Sequence, residues 1–141
     1  MKKRINIIVV LVMCIFLAGC ATTSKKAFEA SESQVKLRSM QTRAFDTTDS
    51  KKMMQTVIST MQDLNFVIDK ADLTLGSVTG TKFFNNASIV MTVTVRPRGD
   101  KQLLVRANAQ VGVNSIDDPA TYQDFFTALE KAMFLTAQQV D

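Results

Sequence analysis

Ile89-Val90-Met91-Thr92-Val93-Thr94-Val95-Arg96-Pro97-Arg98-Gly99-Asp100-Lys101-Gln102-Leu103-Leu104-Val105-Arg106-Ala107-Asn108-Ala109-Gln110-Val111 is the stretch that decides the fold. Neighbouring residues of a strand point to opposite faces, so every second residue shares a side. Ile89, Met91, Val93 and Val95 line up on one side of the first run, as do Leu103, Val105, Ala107, Ala109 and Val111 in the second. The alternate positions are Val90, Thr92, Thr94 and Arg96, then Leu104, Arg106, Asn108 and Gln110. Pro97 to Lys101 supplies turn residues between the runs, which predicts an antiparallel hairpin with one apolar face and one mixed, wet face.

An apolar hairpin face needs a cover, and the flanking sequence provides two. Upstream, Thr47-Thr48-Asp49-Ser50 offers N-cap residues. Met53, Met54, Val57, Ile58, Met61 and Leu64 then recur at helical spacing, and Asn65 tolerates a left-handed C-terminal turn. Downstream, Asp118-Pro119 opens a second helix with the stripe Tyr122, Phe125, Phe126, Leu129, Met133, Thr136 and Val140. Phe66 to Asp69 begins a strand, Asp72 to Leu75 is a turn or its continuation, Gly76 to Thr81 is a short strand, and Asn85-Asn86 turns again. Arg38 to Asp46 is a first, weakly alternating strand. The expectation is an α+β fold in the order strand, helix, strands, helix. An antiparallel sheet of four to five strands carries two helices on one face, which satisfies every amphipathic stripe at once.

Composition removes several classes of function. There is no histidine or tryptophan, and the two cysteines are Cys14 and Cys20. Zinc and copper sites lose their usual ligands, and Ser-His-Asp chemistry is excluded. The N-terminal segment reads as a secretory signal. Lys2, Lys3 and Arg4 precede an apolar run from Ile5 to Phe16 broken only by Asn6. That run is shorter than the ~20 residues that span a bilayer. Without residues 1–19 the balance is 14 basic against 13 acidic residues, a formal +1, so no basic stripe supports nucleic-acid binding. Residues 21–35 are small and polar, in the manner of a tether, with helix from Ala27 onward as the alternative because Glu and Ala favour it.

Leu17-Ala18-Gly19-Cys20 resembles the lipobox of bacterial lipoproteins. The resemblance implies cleavage between Gly19 and Cys20, a diacylglycerol on the Cys20 sulfur and a fatty acyl chain on its amine. Three chains anchor stably, since each buried methylene contributes about 0.8 kcal/mol. Ala21, where lipoproteins held at the inner membrane commonly carry Asp, implies an outer-membrane anchor facing the periplasm. The expected organisation is residues 1–19 as signal peptide, 20–37 as lipidated cysteine and tether, and 38–141 as one periplasmic domain. Val57 to Asp69, followed by Gly76-Ser77-Val78-Thr79-Gly80, is similar to the helix-grip domains of the C-subunit lipoprotein of the outer-membrane barrel assembly machinery. Asn65 stands where that pattern usually has glycine.

Candidate sites each have a plainer reading. Arg98-Gly99-Asp100 matches an adhesion tripeptide but is also ordinary hairpin-turn chemistry. Asp63, Asp69, Asp72, Asp117 and Asp118 lack calcium-loop order, and Asp118 reads as a helix cap. Met53, Met54, Met61, Met91 and Met133 read as core. Phe83-Phe84 differs, because adjacent strand residues cannot both face one core. The contact candidates are therefore Phe83 or Phe84 with Thr92, Thr94, Arg96, Leu104 and Arg106. No cofactor or metal is expected. The composite expectation is a non-enzymatic accessory or scaffolding subunit, membrane-bound through Cys20, with an envelope protein as partner. The alternative is a small-ligand or lipid-binding module with its ligand between helices and sheet, and a peptidoglycan hydrolase is a third class.

Overall fold

The computed structural model describes residues 33–138, with side chains up to residue 134. The signal segment, Gly19, Cys20 and Val140 lie outside the described residues. The compact unit that carries the sheet is Leu37–Asp141. The elements of the described residues, in chain order, are helix α1 (33–40), β1 (Thr42–Phe45), α2 (Ser50–Asp63), β2 (Val67–Asp72), β3 (Ser77–Phe84), β4 (Ala87–Arg98), β5 (Gln102–Val111), β6 (Asn114–Ser115) and α3 (Pro119–Gln138). The protein is α+β: the helices pack against an antiparallel sheet ordered β1-β5-β4-β3-β2, with the two-residue β6 added beside β5.

The hairpin alternation holds from Met91 to Ala109, whereas Val111, expected on the apolar face, is exposed at the end of β5. Met91 pairs with Ala109, Val93 with Ala107 and Val95 with Val105, and all six are buried. They form one core with Met53, Met54, Val57 and Met61 of α2 and with Tyr122, Phe125, Phe126 and Leu129 of α3. Burying each Val, Leu, Met or Phe side chain of this core contributes about 1.5–3 kcal/mol.

Local chemistry fixes both ends of α2. The Asp49 side chain accepts the Lys52 amide at 2.9 Å, capping the N-terminus. At the other end Asn65 adopts φ 66°, its amide donates to the Gln62 carbonyl and the Phe66 amide donates to the Met61 carbonyl, both at 2.9 Å. This is the paired closure of a Schellman motif, and it turns the chain directly into β2. Gly80 lets α2 approach the sheet, because a Cβ there would meet the Val67 carbonyl oxygen at 2.9 Å and the Met61 methyl at 3.0 Å.

The structure revises three boundaries and settles a fourth. Residues 38–40 belong to α1 rather than to a first strand, and the expected tether is helical from residue 33. The good helix formers of this stretch (Gln34, Lys36, Arg38 and Met40) win once Leu37 packs against the core. Of the two readings open for Asp72, the strand's continuation holds: β2 runs on to Asp72 after a register shift between Ile68 and Lys70. Strand β3 runs on through Phe84, pairing Phe83 with Ser88 and Phe84 with Ala87. The sheet also gains β6, which was not expected from the sequence.

Candidate functional site

The face of the sheet turned away from α2 and α3 carries the even-numbered residues of β4 and β5. Thr92 pairs with Asn108, Thr94 with Arg106 and Arg96 with Leu104. These six side chains line an open groove of about 590 Å³. Five of them are expected contacts, and Asn108 joins them because it stands opposite Thr92. The groove offers two hydroxyls, a carboxamide, two guanidiniums and one isobutyl group. None of the six is a carboxylate.

One wall is ordered by neighbouring strands. The Thr79 and Thr92 hydroxyl oxygens lie 3.1 Å apart, one donating to the other. The other wall depends on a break in the edge of β5. Strand β1 covers Leu103 to Arg106 and β6 covers Gln110 and Val111, which leaves the edge between them without a strand partner. Unpaired backbone amides are costly when buried, so other groups must serve them. The Ala107 amide donates to the Gln41 carbonyl at 2.9 Å, and the Ala109 amide to the Tyr122 hydroxyl at 3.3 Å. The Ala109 carbonyl accepts from the Ile116 amide at 2.8 Å.

Gln41 plugs this gap from within and is only 3% exposed. Its Nε2 donates to the Tyr122 hydroxyl at 3.1 Å and to Asn108 Oδ1 at 3.3 Å. Its Oε1 accepts from Arg106 Nη2 at 3.4 Å. The Tyr122 hydroxyl in turn donates to the Ile116 carbonyl at 2.6 Å, so its single proton and both lone pairs are used. A polar chain thus runs from the core-facing Tyr122 of α3 through Gln41 to Arg106 and Asn108 in the groove. Sequence reasoning missed Gln41, since a lone glutamine between Met40 and Thr42 has no periodicity to reveal its burial. Tyr122 was legible only as a core residue.

Phe83 and Phe84 are not part of the groove. They lie on opposite faces of β3, 71% and 43% exposed. Phe83 shares the groove's face, but its partner Ser88 lies four residues from Thr92, roughly 13 Å along β4.

The remaining sequence candidates serve local structure. Asp72 accepts the amides of Thr74 and Leu75 at 3.0 and 2.9 Å, closing the β2–β3 turn. Asp69 accepts the Thr81 hydroxyl at 2.6 Å, and Asp118 accepts the Ala120 amide at 3.3 Å. Among the described residues no group of three His, Cys, Asp or Glu side chains is placed to hold a metal ion. Also among them, no helix is long and apolar enough to cross a membrane. Arg98-Gly99-Asp100 lies at the β4–β5 turn, where Gly99 takes φ 61°. Met53, Met54, Met61 and Met91 are buried, and Met133 packs against the core.

No family model matches the chain, and no curated protein resembles it at a significant level.

Proposed function

We propose that this chain is a non-enzymatic accessory subunit of an envelope protein complex, tethered to the outer membrane through lipidated Cys20, with the open sheet face as its docking surface. The groove of Thr92, Thr94, Arg96, Leu104, Arg106 and Asn108 carries this reading. It is concave, mixes polar donors with one apolar side chain, and lies on the face that neither α2 nor α3 covers. The alternative, a ligand held between helices and sheet, finds less support. That interface is filled by fully buried Met53, Val57, Val93, Phe125 and Leu129, whereas the groove lies on the opposite side. The lipobox resemblance and the similarity to helix-grip lipoprotein domains agree with an envelope location for such a subunit.

The test is photo-crosslinking in cells from an unnatural residue at position 94, with position 123 on the exposed side of α3 as control. One dominant envelope protein captured from position 94 and absent from position 123 is the expected result. Loss of the docking reading follows if the correctly anchored chain captures nothing from position 94.

A further inference from the structure

We infer that the groove recognises a carboxylate-bearing peptide segment through Arg96 and Arg106; the inference rests on the docking reading and supplies the chemistry of the partner. Arg96 stands opposite Leu104, and Arg106 opposite Thr94, so the two arginines are diagonal neighbours on adjacent strands. Such positions lie about 7–8 Å apart. Like charges this close are unfavourable unless something negative joins them. Among the described residues no carboxylate pairs with either guanidinium. Three nearby carboxylates are engaged elsewhere, Asp69 with Thr81, Asp72 with its own turn and Asp46 with Gln102 at 2.6 Å, and Asp100 of the β4–β5 turn pairs with neither arginine.

Arginine is the side chain suited to this task, because its planar fork matches a carboxylate with two parallel hydrogen bonds. Arg106 is also held in place. Its Nη2 donates to buried Gln41, which is itself fixed by Tyr122. A guanidinium positioned before binding loses less freedom when the ligand arrives. The rest of the lining selects a peptide. The Thr92 and Thr94 hydroxyls and the Asn108 carboxamide both donate and accept, as the amides of an extended backbone require. Leu104, directly opposite Arg96, gives an aliphatic side chain an apolar contact. An anionic lipid surface is read instead by clusters of about four to eight Lys and Arg, and this groove contains two arginines.

The experiment uses the full chain in neutral-detergent micelles and a fluorescent synthetic peptide of alternating glutamate and valine, compared with its glutamine counterpart. Saturable binding of the glutamate peptide is expected, with the glutamine peptide about tenfold weaker or worse, as befits charge-assisted pairs. Arg96→Gln with Arg106→Gln abolishes that preference while the circular dichroism spectrum stays unchanged. Arg96→Lys with Arg106→Lys keeps charge without the fork and retains partial affinity, which guards against a folding artefact. Equal binding of both peptides overturns the inference. So does displacement of the glutamate peptide by phosphatidylglycerol vesicles but not by phosphatidylcholine vesicles, since a lipid surface is then the occupant. Crosslinking from position 94 separates the two levels. Capture that persists unchanged in the double Gln variant keeps the docking reading and sinks carboxylate recognition, whereas no capture by the wild-type chain sinks docking itself.

Discussion

Strands β4 and β5 present two faces built from the same residues in alternation, and the two faces do different work. On the inner face Met91, Val93, Val95, Leu103, Val105, Ala107 and Ala109 are all 5% exposed or less. On the outer face Thr92, Thr94 and Leu104 are half-buried, and Arg96, Arg106 and Asn108 are exposed. A side chain packed against α2 and α3 is fixed by shape, because each methylene lost there opens a cavity. A side chain on the open face is fixed by nothing in the core except where Gln41 reaches through. The comparison teaches that stability resides on one side of this sheet and freedom to vary chemistry on the other.

The sharpest way to break the inner face is at Phe126. Its ring is buried, lies edge-to-face with Phe125 at 5.2 Å and 67°, and carries the Arg43 guanidinium 5.1 Å above it. Phe126→Ala is expected to cost about 3–5 kcal/mol in urea unfolding. A loss below about 1 kcal/mol would mean that the core tolerates the hole and that α3 contributes little to it.

A smaller effect is expected where the two faces meet. Gln41→Ala removes hydrogen bonds to Tyr122, Asn108 and Arg106 together, a loss of about 1–3 kcal/mol. Tyr122→Phe removes the shared hydroxyl. If the chain from α3 to the groove acts as a unit, the double variant is less destabilised than the sum of the singles, by about 0.5 kcal/mol or more. Strict additivity in that cycle would show Gln41 and Tyr122 to be independent, and the groove wall would lose its link to the core.

The inner face was legible in the sequence, and the reason is periodicity. Met91, Val93 and Val95 announce a strand by a repeat of two, and Met53, Val57 and Met61 a helix by the repeat of 3.6 residues. Caps were legible too: Asp49, Asn65 and Asp118 each stand where the backbone needs that residue type. The outer face was legible by subtraction, as whatever alternates with the core, which is why Thr92, Thr94, Arg96, Leu104 and Arg106 fell together in one groove. Elements fixed by long-range contacts were not legible. Residues 33–37 look like a polar tether and 38–40 like the start of a strand until Leu37 finds the core, β6 is two residues stitched to β5, and the burial of Gln41 follows from a gap in a ladder formed by distant segments. Phe83 and Phe84 were read correctly as a pair that no single core can hold, yet the extension of β3 places them away from the groove.

The smallest expected effect sharpens the comparison most, because it is a change of sign. Arg96 is exposed, makes no hydrogen bond or ion pair among the described residues, and lies diagonal to Arg106. Removing one of two neighbouring like charges relieves repulsion, so Arg96→Gln is expected to leave stability within about 0.5 kcal/mol and to raise it slightly at low salt. Screening shortens to a Debye length of about 10 Å at 0.1 M salt, so that gain should shrink as salt is added. Urea unfolding of both proteins at low and high salt measures it. A destabilisation above about 1 kcal/mol would instead make Arg96 part of what holds the sheet together. With a gain that salt erases, the outer face keeps Arg96 at a small cost to the fold. A gain that salt does not erase would instead point to something other than the charge of Arg96, such as the packing of its stem on the sheet.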